Sequence, residues 1–175
     1  AAGLATVLGR ITNPLGEGVG GLTVQVVDSA NQIVSSTAVS QTAAGSTLGT
    51  YQLFVDPTLS TDSQANLRVV VRPGTASSTL PTLEVAMAPP RAGSATKVDF
   101  AFPSQRTPVS FQLPIRGLAA SGTTMAVVGA HVQAQVQLQD QATQQLGVRA
   151  IYTATADTDA QGIAKLTLVP APSGA

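Results

Sequence analysis

Apolar and polar residues alternate along most of this chain. Successive side chains of a β-strand point to opposite faces, so a period of two predicts strands with one buried face and one wetter face. The alternating apolar sets are Tyr51, Leu53 and Val55; Leu67, Val69 and Val71; Leu83, Val85 and Met87; Val98, Phe100 and Phe102; and Val109, Phe111, Leu113 and Ile115. We expect each set to face a hydrophobic core.

The same pattern sets the order of the predicted elements. It predicts strands near residues 5–12, 22–28, 32–40, 49–55, 66–72, 82–88 and 96–102, and then near 108–117, 130–139, 147–157 and 162–169. Clusters of glycine and proline separate these runs and indicate turns. Only residues 60–65 and 140–146 have a helix-like spacing, and neither is longer than one or two turns. Short, regularly spaced strands predict an all-β fold of antiparallel sandwiches.

Repeated glycine positions divide the chain into two copies. The glycines are Gly9, Gly21 and Gly49 in the first copy and Gly117, Gly129 and Gly162 in the second. The first two glycines of each copy are twelve residues apart, and the third opens the similar segments Gly-Thr-Tyr-Gln-Leu and Gly-Ile-Ala-Lys-Leu. A repeat of this length predicts two tandem domains of one fold.

The two predicted domains differ in completeness. Residues 1–104 supply a complete seven-strand sandwich, whereas residues 107–175 supply a related sandwich without its last strands. Four strands leave an open core and an exposed sheet edge. Three explanations stay open: the missing strands follow residue 175, the second copy is a reduced sandwich, or a strand from another subunit completes it by strand addition.

Composition narrows the class of protein. Charged residues make up 10% of the chain and the formal net charge is zero, which argues against nucleic-acid binding because that needs clustered Lys and Arg. Cysteine is absent, which excludes disulfides, thiolate nucleophiles and cysteine metal sites. The sequence contains no run of about 18 apolar residues, so it predicts no transmembrane helix. A surface of Thr, Ser and Gln is more usual in secreted or cell-surface bacterial proteins than in cytosolic enzymes.

The aligned copies share a motif of a glycine, an apolar residue two positions later, a glycine-containing loop, a glycine before a strand, and finally Gly-x-aromatic/apolar-x-Leu. The matching residues are Gly9, Ile11, Gly18, Gly21, Val24, Val26, Gly49, Tyr51 and Leu53, and then Gly117, Gly122, Gly129, Val132, Thr155, Asp157, Asp159, Gly162, Ala164 and Leu166. This motif resembles the carboxypeptidase regulatory-like (transthyretin-like) domains and the related bacterial Ig-like surface modules. The resemblance implies a secreted or envelope β-sandwich that serves as a spacer, an adhesion module or a structural subunit, and it carries over no catalytic residue.

Few residues are candidates for chemistry. Asp157 and Asp159 would offer oxygen ligands to calcium, but two carboxylates are too few for a site, and Asp also stabilises turns through its own side chain, which is the reading we favour. His131 is the only histidine, and the sequence nominates no partners that would build a zinc site or a catalytic triad around it. We therefore predict no catalytic, cofactor-binding or metal-binding residue.

Two further segments have competing interpretations. Gln133, Gln135, Gln137 and Gln139 share one strand face with His131, and this row is either a hydrogen-bonding platform for a glycan or another subunit, or a polar face toward solvent, which we favour. The glycine-rich segment Gly16–Gly21 is similar to a phosphate-binding loop, but a strand follows it instead of a helix. A hairpin-type loop is therefore the better prediction.

The sequence thus predicts a non-enzymatic extracellular or cell-envelope protein that acts as a spacer, an adhesion module or an assembly subunit. Its expected partners are other protein subunits or adjacent domains of a longer surface protein, joined by strand addition at the second domain. The alternative is a module that binds a glycan or a peptide, which predicts a concave polar pocket near Gly16–Gly21 or near Ser60–Ala65.

Overall fold

The computed structural model describes residues 3–57, 66–74, 80–104, 107–139 and 147–168. This part of the chain contains no α-helix. Its strands are β1 (Ala5–Thr12), β2 (Thr23–Val27), β3 (Ala38–Val39), β4 (Thr50–Val55), β5 (Leu67–Arg72), β6 (Thr82–Met87), β7 (Ala95–Lys97), β8 (Phe100–Ala101), β9 (Val109–Pro114), β10 (Arg116–Leu118), β11 (Thr124–Ala126), β12 (His131–Gln139), β13 (Val148–Asp157) and β14 (Ile163–Leu168).

The all-β prediction is confirmed, and most predicted strands begin and end within a few residues of the observed ones. Three differences stand out. The strand predicted over 96–102 is divided into β7 and β8. The strand predicted over 32–40 is reduced to β3, with isolated bridges at Ile33 and Ser35. The strand predicted over 108–117 is divided into β9 and the start of β10, whose partner β11 was not predicted. The helix-like segments 60–65 and 140–146 lie outside the described residues.

Backbone contacts group the chain into two compact units. The first unit comprises residues 1–104 and 138–150, and the second comprises residues 105–137 and 151–175. The long strands β12 and β13 therefore have residues in both units, which the repeat alone does not indicate. The tandem ranges 1–104 and 107–175 stay a prediction from the repeat.

The first unit contains two sheets whose alternate side chains form its core. One sheet has the order β4-β1-β7, with β8 also on β1, and the other runs β6-β5-β2-β3 and continues past β6 with β13 and β12. Fully buried side chains come from both sheets: Ala5, Val7, Ile11, Leu53, Val55 and Phe100 from the first, and Val24, Val26, Leu67, Val69, Val71 and Leu83 from the second. For Leu53 and Val55, for Leu67, Val69 and Val71, and for Leu83 and Phe100, the alternation predicts the buried face correctly.

Two pairings depart from the antiparallel prediction. Both β7 and β8 run parallel to β1, with Thr6 beside Ala95 and Ile11 beside Phe100. Parallel neighbours require a crossover connection, and here the chain arrives at β7 from β6 in the other sheet instead of returning through a hairpin. A period of two marks a strand and its faces, but it carries no information about the direction of the neighbouring strand.

The described part of the second unit contains three strand pairs. β14 pairs with β9, β10 pairs with β11, and β12 pairs with β13. Its buried apolar side chains, within the part of the chain described, are Tyr152, Ala164, Leu166 and Leu168. No described strand in this unit occupies the positions that β5 to β8 hold in the first unit.

A buried hydroxyl joins two segments in the first unit. The Ser40 side chain donates a hydrogen bond to the Val19 carbonyl oxygen at 2.9 Å and accepts one from the Leu22 amide at 3.0 Å. The Ser40 backbone also bonds to Gly21 and Leu22. Because Ser40 is only 1% exposed, each of these groups would lose its partner without gaining water if the hydroxyl were removed.

Thr158 makes the same set of bonds in the second unit. Its hydroxyl donates to the Val127 carbonyl oxygen at 2.6 Å and accepts from the Ala130 amide at 2.8 Å, while its backbone bonds to Gly129 and Ala130. Thr158 is 4% exposed. The repeat is therefore present at the level of individual hydrogen bonds, and it pairs Gly21 with Gly129 as the sequence predicts.

The strand register corrects one part of the predicted repeat, the match of Gly9 with Gly117. Gly9 lies opposite Tyr51 in the β1–β4 pair, and Leu113 lies opposite Ala164 in the β9–β14 pair. Ile11 and Ile115 then donate equivalent bonds to the carbonyls of Gly49 and Gly162. Gly9 is thus equivalent to Leu113, and its alignment with Gly117 is wrong, because extra residues of the second copy form the β10–β11 hairpin.

We expect Thr158→Val to destabilise the second unit by about 1–3 kcal/mol, because the Ala130 amide and the Val127 carbonyl would stay buried without their hydroxyl partner. Chemical denaturation would measure the change. Thr155→Val is the matched control, since Thr155 is exposed on β13, three residues before Thr158, and its replacement should change stability by less than about 0.5 kcal/mol. Equal effects of the two substitutions would contradict the role of the hydroxyl.

Candidate functional site

The second unit exposes apolar side chains on β9. Val109, Phe111 and Leu113 are 50%, 38% and 40% exposed, so the sequence expectation that they are buried is wrong. Their cross-strand partners on the same face of the sheet are Leu168, Leu166 and Ala164, which are buried. The apolar face of this two-stranded sheet is thus covered over β14 and open over β9.

The outer edge of β9 has no neighbour in the part of the chain that the structure describes. β14 pairs with one edge of β9, and no described strand pairs with the other. The Ile115 amide bonds to the Gly162 carbonyl beside β14, so alternate residues place the backbone groups of Ser110 and Gln112 on the outer edge. Pro108 and Pro114 fall at the same kind of position and have no amide hydrogen to offer.

The equivalent edge of the first unit is occupied. The Thr6 amide donates to the Ser94 carbonyl oxygen at 2.8 Å, and the Leu8 carbonyl accepts from the Val98 amide at 2.8 Å. By register, Thr6 and Leu8 correspond to Ser110 and Gln112. The two units therefore share one strand edge, which is closed by β7 and β8 in the first and open in the second.

Closure of the first edge depends on a glycine and a tyrosine. A side chain at Gly9 would place its Cβ 1.8 Å from the Val98 carbonyl oxygen, so only glycine leaves room there. The Tyr51 hydroxyl, beside Gly9 on the neighbouring strand, donates to the same carbonyl oxygen at 2.5 Å. Burial, with a smaller contribution from the Asp99 carboxylate, raises the pKa of Tyr51 far above its usual value.

A surface depression of about 530 Å³ lies beside this closure. Its lining residues are Leu8, Gly9, Arg10, Gln41, Thr50, Tyr51, Gln52, Lys97 and Asp99. The Asp99 carboxylate accepts the Arg10 amide at 2.9 Å and lies 3.5 Å from the Lys97 amine, while the Arg10 guanidinium donates to the Leu48 carbonyl. The charged groups of the depression are thus engaged with one another and with the backbone.

A buried carboxylate bridges two strands in the first unit. Glu84 on β6 accepts from Arg68 on β5 at 3.2 Å and also pairs with Arg149 on β13. The Glu84 side chain is 7% exposed, whereas both arginines keep access to water. The alternating pattern places Glu84 on a wetter face, but burial beneath the two arginines reverses that expectation.

The glutamine row is exposed as we expected. Gln133, Gln135 and Gln137 lie on the solvent side of β12, and Gln137 donates to Gln135 at 3.3 Å. The side chain of Gln139 lies outside the described residues. At the end of the same face, the His131 ring bonds to the Asp157 carboxylate at 2.9 Å, with both side chains more than half exposed.

Asp159 organises a turn, as the sequence predicts. Its carboxylate accepts the amides of Gln161 and Ile163 at 2.9 Å and 3.0 Å, and the bond from Ile163 is the main cause that lowers the pKa of Asp159. Asp157 instead pairs with His131, so the two carboxylates have separate partners. Among the residues described, no group of three or more His, Asp or Glu side chains is placed to hold a metal ion.

The glycine-rich loop has a packing role. A Cβ at Gly18 would lie 2.0 Å from the Leu48 carbonyl oxygen, and one at Gly20 would lie 2.5 Å from the Gln41 carbonyl oxygen. Asn13 closes the start of the loop by accepting the amides of Leu15 and Glu17. These glycines let the loop pack closely on residues 41–49, and the depression described above lies along β1 and β4 instead of at this loop. Ser60–Ala65 lies outside the described residues.

Comparison with known proteins adds little. No protein-family model matches the chain, and no curated protein matches it. A search of solved structures finds the Bacillus anthracis TIE protein at 12% identity and a TM-score of 0.34, covering 98% of this chain. The chain spans 29% of the length of that protein. No helix in the described residues has the length and apolar character needed to cross a membrane.

We expect the stability of the first unit to fall as the pH rises above about 10, the ordinary pKa of tyrosine. A raised pKa in the folded state means that folding favours the neutral phenol, so this contribution is complete below pH 10 and is lost as the phenol ionises. Denaturation of wild type and Tyr51→Phe between pH 7 and pH 11.5 would measure it. Tyr51→Phe should be less stable at pH 7 and should lack this part of the alkaline loss. Parallel pH profiles would contradict the assignment.

We expect Glu84→Gln to destabilise the first unit by about 1–3 kcal/mol, since it removes the shared charge between Arg68 and Arg149 while both arginines stay hydrated. Thermal denaturation at neutral pH would measure the loss. The chain supplies a matched control, because Glu17 is its only other glutamate and is exposed. Glu17→Gln should be nearly neutral, and a Glu84→Gln protein as stable as wild type would refute the bridging role.

Proposed function

We propose that this chain is a non-enzymatic structural module of the cell exterior or envelope that acts as a spacer or an assembly subunit. The observation that carries the proposal is the exposure of Val109, Phe111 and Leu113 on a strand whose same-face partners are buried. An apolar strand face beside an open edge is a typical surface for association with another polypeptide.

The use of polar groups supports a structural role. The buried polar residues in the described part of the chain are Ser40, Glu84 and Thr158, and each joins one strand or loop to another. No buried polar side-chain atom described here lacks a hydrogen-bond partner. A catalytic site usually contains polar groups whose hydrogen-bonding capacity is left for a substrate. The buried polar groups described here bond to other parts of the fold instead.

Two measurements test the proposal on natural material. Protease treatment of intact source cells, followed by immunodetection, should remove the chain, because an exterior or envelope protein is accessible without lysis. Light scattering of the gently extracted protein, with intact-mass spectrometry of the denatured chain, should show whether it belongs to a longer chain or to an assembly. If the chain were protected from protease in intact cells and completely digested after lysis, the proposal would be refuted.

The depression beside Tyr51 favours a second candidate, a module that binds a glycan or a peptide. Gln41, Gln52 and Lys97 offer hydrogen-bonding groups there. The Tyr51 ring is only 4% exposed, so it offers little surface for stacking on a sugar. Screening glycan and peptide arrays with wild type and with a Gln41→Ala, Gln52→Ala double variant tests this candidate. It requires binding that the double variant loses.

A further inference from the structure

We propose that the outer edge of β9 pairs antiparallel with β9 of a second copy of this chain, about a two-fold axis through Phe111. This inference rests on the proposed role as an assembly subunit and names the partner. It follows from the positions of the donors on the edge, the chemistry of the two strand faces, and the way in which this edge differs from its counterpart in the first unit.

Only a short part of the edge can donate hydrogen bonds. The outward positions of β9 and its flank are Pro108, Ser110, Gln112 and Pro114, and the prolines have no amide hydrogen. The donors are therefore the amides of Ser110 and Gln112, with Phe111 midway between them. The prolines bound this pair symmetrically, so the edge has the same pattern when read in either direction.

This symmetry selects one antiparallel register. With Phe111 opposite its own mate, Ser110 of each copy lies opposite Gln112 of the other, and the amide and carbonyl of each can bond across the axis. The prolines then face each other at the two ends of this segment, where both are exposed and their carbonyls can bond to water instead. A shift of two residues would form the same number of bonds but would place Pro114 opposite Ser110, whose carbonyl would then face a residue without an amide hydrogen. The proposed register is the one that uses both the amide and the carbonyl of Ser110 and of Gln112.

The side chains agree with this register. Val109 would lie beside Leu113 of the other copy and Phe111 beside its own mate, which shields apolar surface that is now 38–50% exposed. On the opposite face, Ser110 would lie beside Gln112. No charged residue occurs from Thr107 to Ile115, so the axis brings no like charges together there.

The outer edge of β9 lacks the features that hold β7 and β8 against β1 in the first unit. Leu113 replaces Gly9, which removes the space for a carbonyl like that of Val98, and Ala164 replaces Tyr51, which removes the hydroxyl that holds it. Pro114 replaces Arg10, whose amide bonds to Asp99. A strand shaped like β7 and β8 therefore fits this edge poorly, which favours the self-complementary partner.

Sedimentation velocity of the whole chain over a range of concentrations tests the pairing. We expect a reversible change from 17.6 kDa to twice that mass. Gln112→Pro should weaken the dimer at least about tenfold, because it removes one donor from each copy, while proline stays compatible with an edge position that does not face β14. Gln112→Ala keeps the amide and should dimerise like wild type. Equal melting temperatures of the two variants would show that the fold is retained.

A single cysteine tests the register, because this sequence has none. Residues opposite each other at a position without mutual hydrogen bonds have Cα atoms about 4.5 Å apart, which a disulfide spans. Phe111→Cys should therefore cross-link in a glutathione buffer at least about tenfold faster than Leu15→Cys, a control on an exposed turn of the first unit.

The outcomes separate this inference from the proposed function. A mass of 17.6 kDa at every concentration, with equal cross-linking of the two cysteine variants, overturns the β9 pairing and leaves the exterior location of the chain unaffected. A dimer that Gln112→Pro does not weaken also overturns it, because the association would then use another surface. An intracellular location would refute the proposed function without altering these association measurements.

Discussion

The structure depends on how the edge of β1 is closed. Gly9 leaves space for the Val98 carbonyl, and the Tyr51 hydroxyl holds that carbonyl from the neighbouring strand. This contact fixes the point where β7 ends and β8 begins on the same edge. With the edge occupied, the alternate residues Ala5, Val7 and Ile11 are fully buried between the sheets. A side chain at Gly9 would remove this arrangement, because its Cβ and the carbonyl oxygen cannot share the space.

The second unit shows what the same framework becomes without that closure. Thr158 repeats the hydroxyl bonds of Ser40, and the β9–β14 pair repeats the register of β1–β4. In the first unit the small Gly9 on β1 lies opposite the large Tyr51 on β4. In the second unit the large Leu113 on β9 lies opposite the small Ala164 on β14, so the large residue is on the other strand of the pair. The backbone framework is therefore retained while the edge changes its chemistry, which explains how one fold provides both a closed unit and an open one.

The sequence predicts the turn at Thr155–Gly162 but does not indicate the role of Thr158 within it. The signal was present, because Ser40 stands at the equivalent place before the loop that leads to Gly49. The hydroxyl residues of the two copies carry this equivalence, which their glycines do not show. Glu84 is different. Nothing in its alternating neighbours indicates that Arg149, distant in sequence, lies over it, so its burial was not predictable.

The sequence by itself determined the all-β class, most strand positions, the match of Gly21 with Gly129 and the Asp159 turn. Each follows from local information: the period of two, the glycines that turns require, and the side-chain bonds of Asp. Only the tertiary structure decided the parallel pairing of β7 on β1, the equivalence of Gly9 with Leu113, and the exposure of Val109, Phe111 and Leu113. These depend on which strands become neighbours, and alternation specifies the two faces of a strand without specifying what covers them.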